Sequence, residues 1–197
     1  MALVIILSSS YLSVPVPGGH FYVNGILICL VGLLFPPTES VIVAGIGSFI
    51  GDFLFYPAPM FVTLVSHSLQ VLAISLLVKQ AYESLSKSRF FTALVLGAIL
   101  NLIGYFLGRS FLYANLPTAL MKLPFDTFAA VLSIVIVYFI YYHTRFVAMF
   151  KKAWENWENL VEVIVSEITS FFNRILKLSL RLFAGIPWYN ITTIWNF

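Results

Sequence analysis

The sequence predicts an all-α integral membrane protein with six transmembrane helices followed by a C-terminal amphipathic helix. Of its 197 residues, 60% are hydrophobic and only 10% are charged, and the mean hydropathy is +0.97. A soluble domain has about 25% charged residues, so this composition requires lipid as its solvent. The apolar residues also fall into runs that are separated by proline-rich or polar segments. The length fits one membrane domain.

Six apolar runs are the candidate transmembrane helices. They cover residues 1–13, 23–35, 41–55, 61–78, 90–111 and 126–142. The first is shorter than the ~20 residues that cross a bilayer, so it either lies shallowly or begins upstream of Met1. We therefore expect a membrane domain over residues 1–145 and a helical extension over residues 146–197.

The basic residues indicate how the helices are oriented, because cytoplasmic loops carry an excess of lysine and arginine. Basic residues cluster between the fourth and fifth spans and after the sixth: Lys79, Lys87, Arg89, Arg145, Lys151 and Lys152. The opposite side has only Arg109 and Lys122. This pattern predicts cytoplasmic termini and outward-facing loops at residues 20–24, 56–60 and 112–124.

Ionisable and strongly polar residues interrupt these spans, mostly in their outer halves. Burying a charge in a bilayer costs about 2.5–3.5 kcal/mol or more, so such residues are candidates for a functional site. Thr63, His67 and Gln70 follow i, i+4, i+7 spacing and share one helical face. Two similar stripes occur elsewhere, made of Ser48, Asp52 and Tyr56, and of Gly97, Asn101, Gly104 and Gly108. Tyr105 and Arg109 lie beside the second of these stripes. Together they predict a pocket that opens to the outside.

Simpler interpretations remain open for these residues. The polar groups could join helices without binding a ligand, and Asp52 could form an ion pair with Arg109. Cys29 is the single cysteine, which excludes an intrachain disulfide, and we expect it to be a small core residue. A net charge of +3, with no run of basic residues, does not indicate a nucleic-acid partner.

Several segments, in order, resemble the substrate-binding S component of energy-coupling factor (ECF) transporters. They comprise the Pro/Gly-rich loop VPVPGGHF at residues 14–21, the second helix with Pro37 after it, AGIGSFIGD at 44–52, YPAP at 56–59, GYFL at 104–107 and LPFD at 123–126. The resemblance covers about residues 3–145. It departs from the family at Asp126, where asparagine is common, and at His67, near a position where many members have lysine.

The resemblance implies a six-helix protein of the prokaryotic cell membrane that captures a vitamin-like compound outside the cell. Its partners would be a membrane coupling protein and two ATPase subunits, and no cofactor is expected. The candidate ligand-binding residues are His20, Asn24, Asp52, Tyr56, His67, Gln70, Asn101, Arg109 and Asp126. In the family, small residues of the first helix contact the coupling protein. The corresponding positions here are Ala2, Ile6 and Ser9, although Ile6 is larger than the family pattern.

The extension after Arg145 has an apolar residue every third or fourth position from Phe150 to Leu182, with charges between them. This heptad-like spacing predicts a long amphipathic helix. It favours a helix in the cytoplasmic membrane interface, and packing on a partner or on itself is the alternative. Gly185 and Pro187 are expected to end it.

Two other functions are compatible with the residues alone. An integral-membrane enzyme could use Asp52 and His67 as acid–base groups. A membrane assembly protein could act through its C-terminal helix. A metal site is not indicated, because no two histidines stand four residues apart.

Overall fold

The computed structural model describes residues 1, 4–5, 14–17, 19–79 and 85–184. Apart from one hairpin, the regular elements of this part are helices. Strands β1 (Val14–Val16) and β2 (Gly19–Phe21) are followed by α1 (Gly25–Leu34), α2 (Pro37–Phe55), α3 (Met60–Val78), α4 (Lys87–Tyr113), α5 (Leu116–His143) and α6 (Phe146–Ala184). Two segments, Val41–Ile46 in α2 and Arg109–Tyr113 in α4, are π-helical.

The prediction of an all-α membrane protein is confirmed, but the count of six spans is not. In the described part of the chain, four helices are long and apolar enough to cross a membrane: α2, α3, α4 and α5. The second predicted span corresponds to α1, which has only 10 residues. It ends at Leu34 because Phe35 precedes Pro36 and takes an extended conformation. The first predicted span and the docking positions Ala2, Ile6 and Ser9 lie largely or wholly outside the described residues.

The prediction of an outer loop at residues 112–124 is wrong. Helix α4 continues to Tyr113, and α5 already begins at Leu116. The Asn115 side chain caps α5 by accepting hydrogen bonds from the backbone N–H of Thr118 at 3.0 Å and from its hydroxyl at 2.8 Å. Pro124 lies inside the helix and does not end it. The sixth span is therefore about three turns longer than predicted.

A short hairpin stands where the sequence predicts only a loop. Its strands are antiparallel, with Val14 opposite Phe21 and Val16 opposite Gly19. Gly19 has φ +148°, a conformation that side chains rarely adopt, so glycine is required where the chain turns back. The hairpin leads directly into α1 and lies at the end of the membrane domain where the candidate site is found.

Helix α3 is the centre of the membrane domain, because it packs against α1, α2 and α4, while α5 packs on α1 and α4. Glycines of α4 let α3 approach closely. The Cα positions of Gly97, Gly104 and Gly108 face Ile74, Ser66 and Val62, respectively. These close approaches fix how α3 and α4 are rotated against each other, and thereby which polar side chains of the two helices meet.

The outer surface of the membrane helices is apolar. Exposed large side chains on α2 to α5 include Phe53, Leu54, Phe61, Val65, Leu76, Phe111, Phe128, Val135 and Phe139. Polar residues such as Ser48, Thr63, Ser66 and Gln70 are buried instead. This reversal of the soluble pattern is what a lipid environment requires. Beyond this membrane unit, Met1–Ala148, the chain forms a second unit, Met149–Phe197, whose described part is helical through Ala184.

Candidate ligand-binding site

A cavity lies where the hairpin, α1, α2, α3, α4 and α5 converge. All nine residues predicted from the sequence line it: His20, Asn24, Asp52, Tyr56, His67, Gln70, Asn101, Arg109 and Asp126. The cavity has a volume of about 130 Å³, counted as the space that the centre of a water molecule can occupy. A single water needs about 10–15 Å³ of such space, so several can occupy the cavity. Their role in binding stays a prediction, but the structure brings these residues together.

The first polar cluster in the cavity is a chain of hydrogen bonds that ends on Asp52. The Thr63 hydroxyl donates to Asp52 Oδ2 at 2.5 Å, so it must accept from the Tyr105 hydroxyl at 2.7 Å. Tyr105 in turn accepts from His67 Nε2 at 3.3 Å. Each donor in this chain points towards the carboxylate. The arrangement assigns the proton of neutral His67 to Nε2.

The other side of the His67 ring faces two carboxamides. With the proton on Nε2, Nδ1 is an acceptor, which suits the Asn101 amide nitrogen at 3.0 Å. The Gln70 carbonyl oxygen also lies 3.1 Å from Nδ1. Two acceptors in contact are unfavourable, so Gln70 satisfies the ring only when its amide nitrogen is turned towards it. The other end of the Gln70 amide lies 3.9 Å from Cys29 Sγ.

The second cluster is a triad of charges between the C-terminal end of α4 and the N-terminal part of α5. Asp126 accepts from Arg109 Nη1 at 2.8 Å and from Lys122 Nζ at 2.5 Å. The side chains of Arg109 and Lys122 are only 8% and 4% exposed, and that of Asp126 is 22% exposed. One carboxylate therefore holds two buried cations. The Lys122 stem also runs past Gly19 of the hairpin, which places the triad beneath it.

The triad overturns the proposed ion pair between Asp52 and Arg109, because Arg109 pairs with Asp126. In the part of the chain that the structure describes, Asp52 forms no ion pair. Its identified hydrogen-bond donor is Thr63. The four charged residues that line the cavity, two acids and two bases, balance formally to zero.

Aromatic side chains surround the end of the cavity that lies beside the hairpin. The His20 ring lies 6.0 Å from the Tyr56 ring and 6.2 Å from the Tyr22 ring. Phe21 contacts Phe128 of α5 at 6.2 Å between ring centroids. The hairpin thus makes ring contacts with Tyr56, which directly follows α2, and with α5, and it covers the cavity from one end.

The candidates predicted from the sequence did not include several lining residues. These are Cys29, Tyr113, Lys122 and Ser133, together with Gly19 and Phe21 of the hairpin. Tyr105, which the helical spacing places beside the pocket without making it one of the nine candidates, also lines the cavity. Lys122 falls in the predicted loop at residues 112–124, although its position four residues before Asp126 identifies the pair once the segment is helical. Cys29 is buried as expected, yet it also borders the cavity.

The described residues of the site form no recognisable metal centre. Among the described residues, no group of three or more His, Cys, Asp or Glu side chains could bind an ion. Its chemistry is that of hydrogen bonding: carboxamide, imidazole, hydroxyl and carboxylate groups inside an apolar bundle, with aromatic rings at the opening. Such a combination is typical of a binding site for a small polar molecule.

A family model described as "ECF-type riboflavin transporter, S component" matches residues 1–145 of the chain. The matched segment contains every residue that lines the cavity. No curated protein and no solved structure matches the chain.

Proposed function

The chain belongs to the family of S components of ECF-type riboflavin transporters, and we propose from this premise that it captures riboflavin outside the cell in the cavity described above. The observation that supports this most strongly is the convergence of hydrogen-bonding and charged side chains from separate membrane helices on one cavity. Polar groups are costly inside a bilayer and mark substrate pathways when they occur.

The charges of the cavity favour an uncharged ligand. Asp52 and Asp126 balance Arg109 and Lys122, and both cations are already bound by Asp126. A phosphate would have to compete with that carboxylate. Riboflavin carries no charge, so we expect it to bind more tightly than its phosphate ester.

The shape of the polar lining also suits a flavin. Deep in the bundle, Gln70, Asn101 and His67 present the amide and imidazole groups that can pair with the carbonyl and imide N–H groups of the pyrimidine ring. Nearer the opening, Tyr56 and Tyr113 supply rings and hydroxyls. Aromatic side chains stack on fused rings, and hydroxyls can bind those of the ribityl chain. The Asp52 carboxylate can accept a further hydrogen bond from the ligand.

Uptake requires partners, because the sequence has no phosphate-binding loop of the form G-x-x-x-x-G-K-[ST]. We expect a membrane coupling protein and two ATPase subunits to drive release inside the cell, as the resemblance implies. The protein is then a multi-pass component of a prokaryotic cell membrane with both termini in the cytoplasm. Residues 1–145 would form the binding domain and residues 146–197 an extension.

The first test is binding of riboflavin to the purified chain in detergent, followed by the change in flavin fluorescence. Native mass spectrometry of the same preparation would detect a co-purified flavin. Asp52→Ala and His67→Ala should each weaken binding about tenfold, since a hydrogen bond to a buried polar group contributes about 1–1.5 kcal/mol.

The matched control is His143→Ala, which removes an exposed histidine at the end of α5 far from the lining residues. Its affinity should equal that of the unmodified chain. The proposal is refuted if riboflavin does not bind, or if Asp52→Ala and His67→Ala bind it as tightly as His143→Ala does.

A further inference from the structure

Helix α6 has a long apolar face that the described structure leaves uncovered. Exposed apolar side chains recur along it: Trp157, Leu160, Val161, Ile164, Val165 and Ile168. The largest of these side chains, Trp157, is 59% exposed. A soluble protein seldom leaves so long an apolar stripe in water, so the face requires a partner surface.

The geometry of the stripe indicates what kind of surface. At about 100° per residue, the large apolar positions from Phe146 to Ile168 fill an arc of roughly 140°, with Val163 and Met149 outside it. All of the glutamates and lysines in this range lie on the remaining arc. The seam of a two-stranded coiled coil is narrower, because it uses only two positions in seven. The width suits a flat apolar medium better than a second helix.

The position of α6 in the chain places its start next to such a medium, the lipid bilayer. The membrane-spanning helix α5 ends at His143, and α6 begins three residues later at Phe146. The start of α6 is thus held at a membrane surface. Arg145, Lys151 and Lys152 flank this start, and basic residues are typical of the cytoplasmic surface.

Trp154 has the contacts of an interfacial tryptophan. Its ring stacks on Phe150 with centroids 6.2 Å apart, while its indole N–H donates to Glu158 on the polar side at 2.6 Å. The ring therefore continues the apolar face and its polar edge turns away from it. Tryptophan is enriched where a membrane meets water because it has both characters.

We propose that α6 lies in the plane of the membrane, with its apolar face inserted at the boundary between headgroups and acyl chains of the cytoplasmic leaflet. A helix of 39 residues is about 58 Å long. It would cover a large area of lipid and tie the C-terminal unit to the bilayer. This inference does not depend on the identity of the transported compound.

The test measures the tryptophan fluorescence of α6 in the full-length protein. The chain has four tryptophans, so Trp188→Phe and Trp195→Phe leave Trp154 and Trp157 as the only tryptophans. This variant is reconstituted into vesicles of phosphatidylcholine and phosphatidylglycerol that carry bromine either near the carbonyl end or near the methyl end of the acyl chain. Insertion to about 5–10 Å predicts that emission falls by roughly half or more with the shallow bromine and less with the deep one.

The control places a single tryptophan on the polar arc, with Asn159→Trp in a background where all four native tryptophans are phenylalanine. It should be quenched by aqueous acrylamide and hardly by either brominated lipid. The proposal is overturned if Trp154 and Trp157 behave like this control. It is equally overturned if bromine has no effect and native mass spectrometry shows a dimer that Ile164→Asp abolishes, since α6 would then pair with a second copy.

Discussion

Replacing Asp126 by asparagine removes the carboxylate that binds both Arg109 and Lys122. The two cations contact oxygens of the same group, at 2.8 and 2.5 Å, so they lie within roughly 7 Å of each other. At an effective dielectric constant of about 20, two like charges at this distance repel by about 2–3 kcal/mol. The asparagine side chain retains the shape of aspartate but cannot compensate this repulsion.

The expected loss of stability is about 2–3 kcal/mol. Breaking a fully buried ion pair costs about 3–5 kcal/mol, but the Asp126 side chain is still 22% exposed, which allows some solvation of the cations. Lys122→Met should cost about 1 kcal/mol or less, because it leaves the Arg109–Asp126 pair intact and neutral. Asp126→Asn therefore leaves two uncompensated positive charges in the triad, whereas Lys122→Met leaves none.

The assay is equilibrium unfolding of the purified protein in mixed detergent, measured for the two single variants and the double variant. Lys122→Met/Asp126→Asn should be more stable than Asp126→Asn alone, because the second change removes one of the two repelling cations. The reasoning fails if Asp126→Asn is as stable as Lys122→Met, or if the effects of the two changes simply add.

Two further predictions concern helix packing and the hydrogen-bond chain. Gly97→Ala should cost about 1–3 kcal/mol of stability and weaken ligand binding, because the added Cβ would lie 2.7 Å from Ile74. Its control is Gly47→Ala, whose added Cβ would have its nearest neighbour at 3.4 Å, and this variant should lose no stability in the same unfolding assay. Tyr105→Phe should lower the affinity for riboflavin about tenfold in a fluorescence titration. The control Tyr142→Phe loses a 2.8 Å hydrogen bond to a backbone carbonyl outside the cavity. It should bind riboflavin with unchanged affinity.

The sequence could predict the site well wherever one helix carries several of its residues. Thr63, His67 and Gln70 share a face of α3 by spacing alone, and all three are buried there as that spacing requires. The same holds for Ser48 and Asp52 of α2. Membrane helices make this step reliable, because polar groups can only turn inward.

The pairing between helices could not be predicted in the same way. Asp52 and Asp126 are both plausible partners of Arg109 by depth, and only the rotation of α4 selects Asp126. That rotation depends on where Gly97, Gly104 and Gly108 receive side chains of α3. The helical start of α5 was missed for a different reason: residues 112–124 are predicted as a loop from their mixed composition, although Asn115 is a residue type that caps helices, as it does here.

Removing the chain after Arg145 separates the two proposals made above. Every residue that lines the cavity lies between Gly19 and Ser133, and the family match ends at residue 145. The truncated protein should therefore bind riboflavin with the affinity of the full chain in the same fluorescence titration. Without α6 it loses the apolar face that we propose inserts into lipid, but it keeps every hydrogen bond described for the site. A large loss of affinity would contradict this division, because it would mean that the extension supports the binding domain directly.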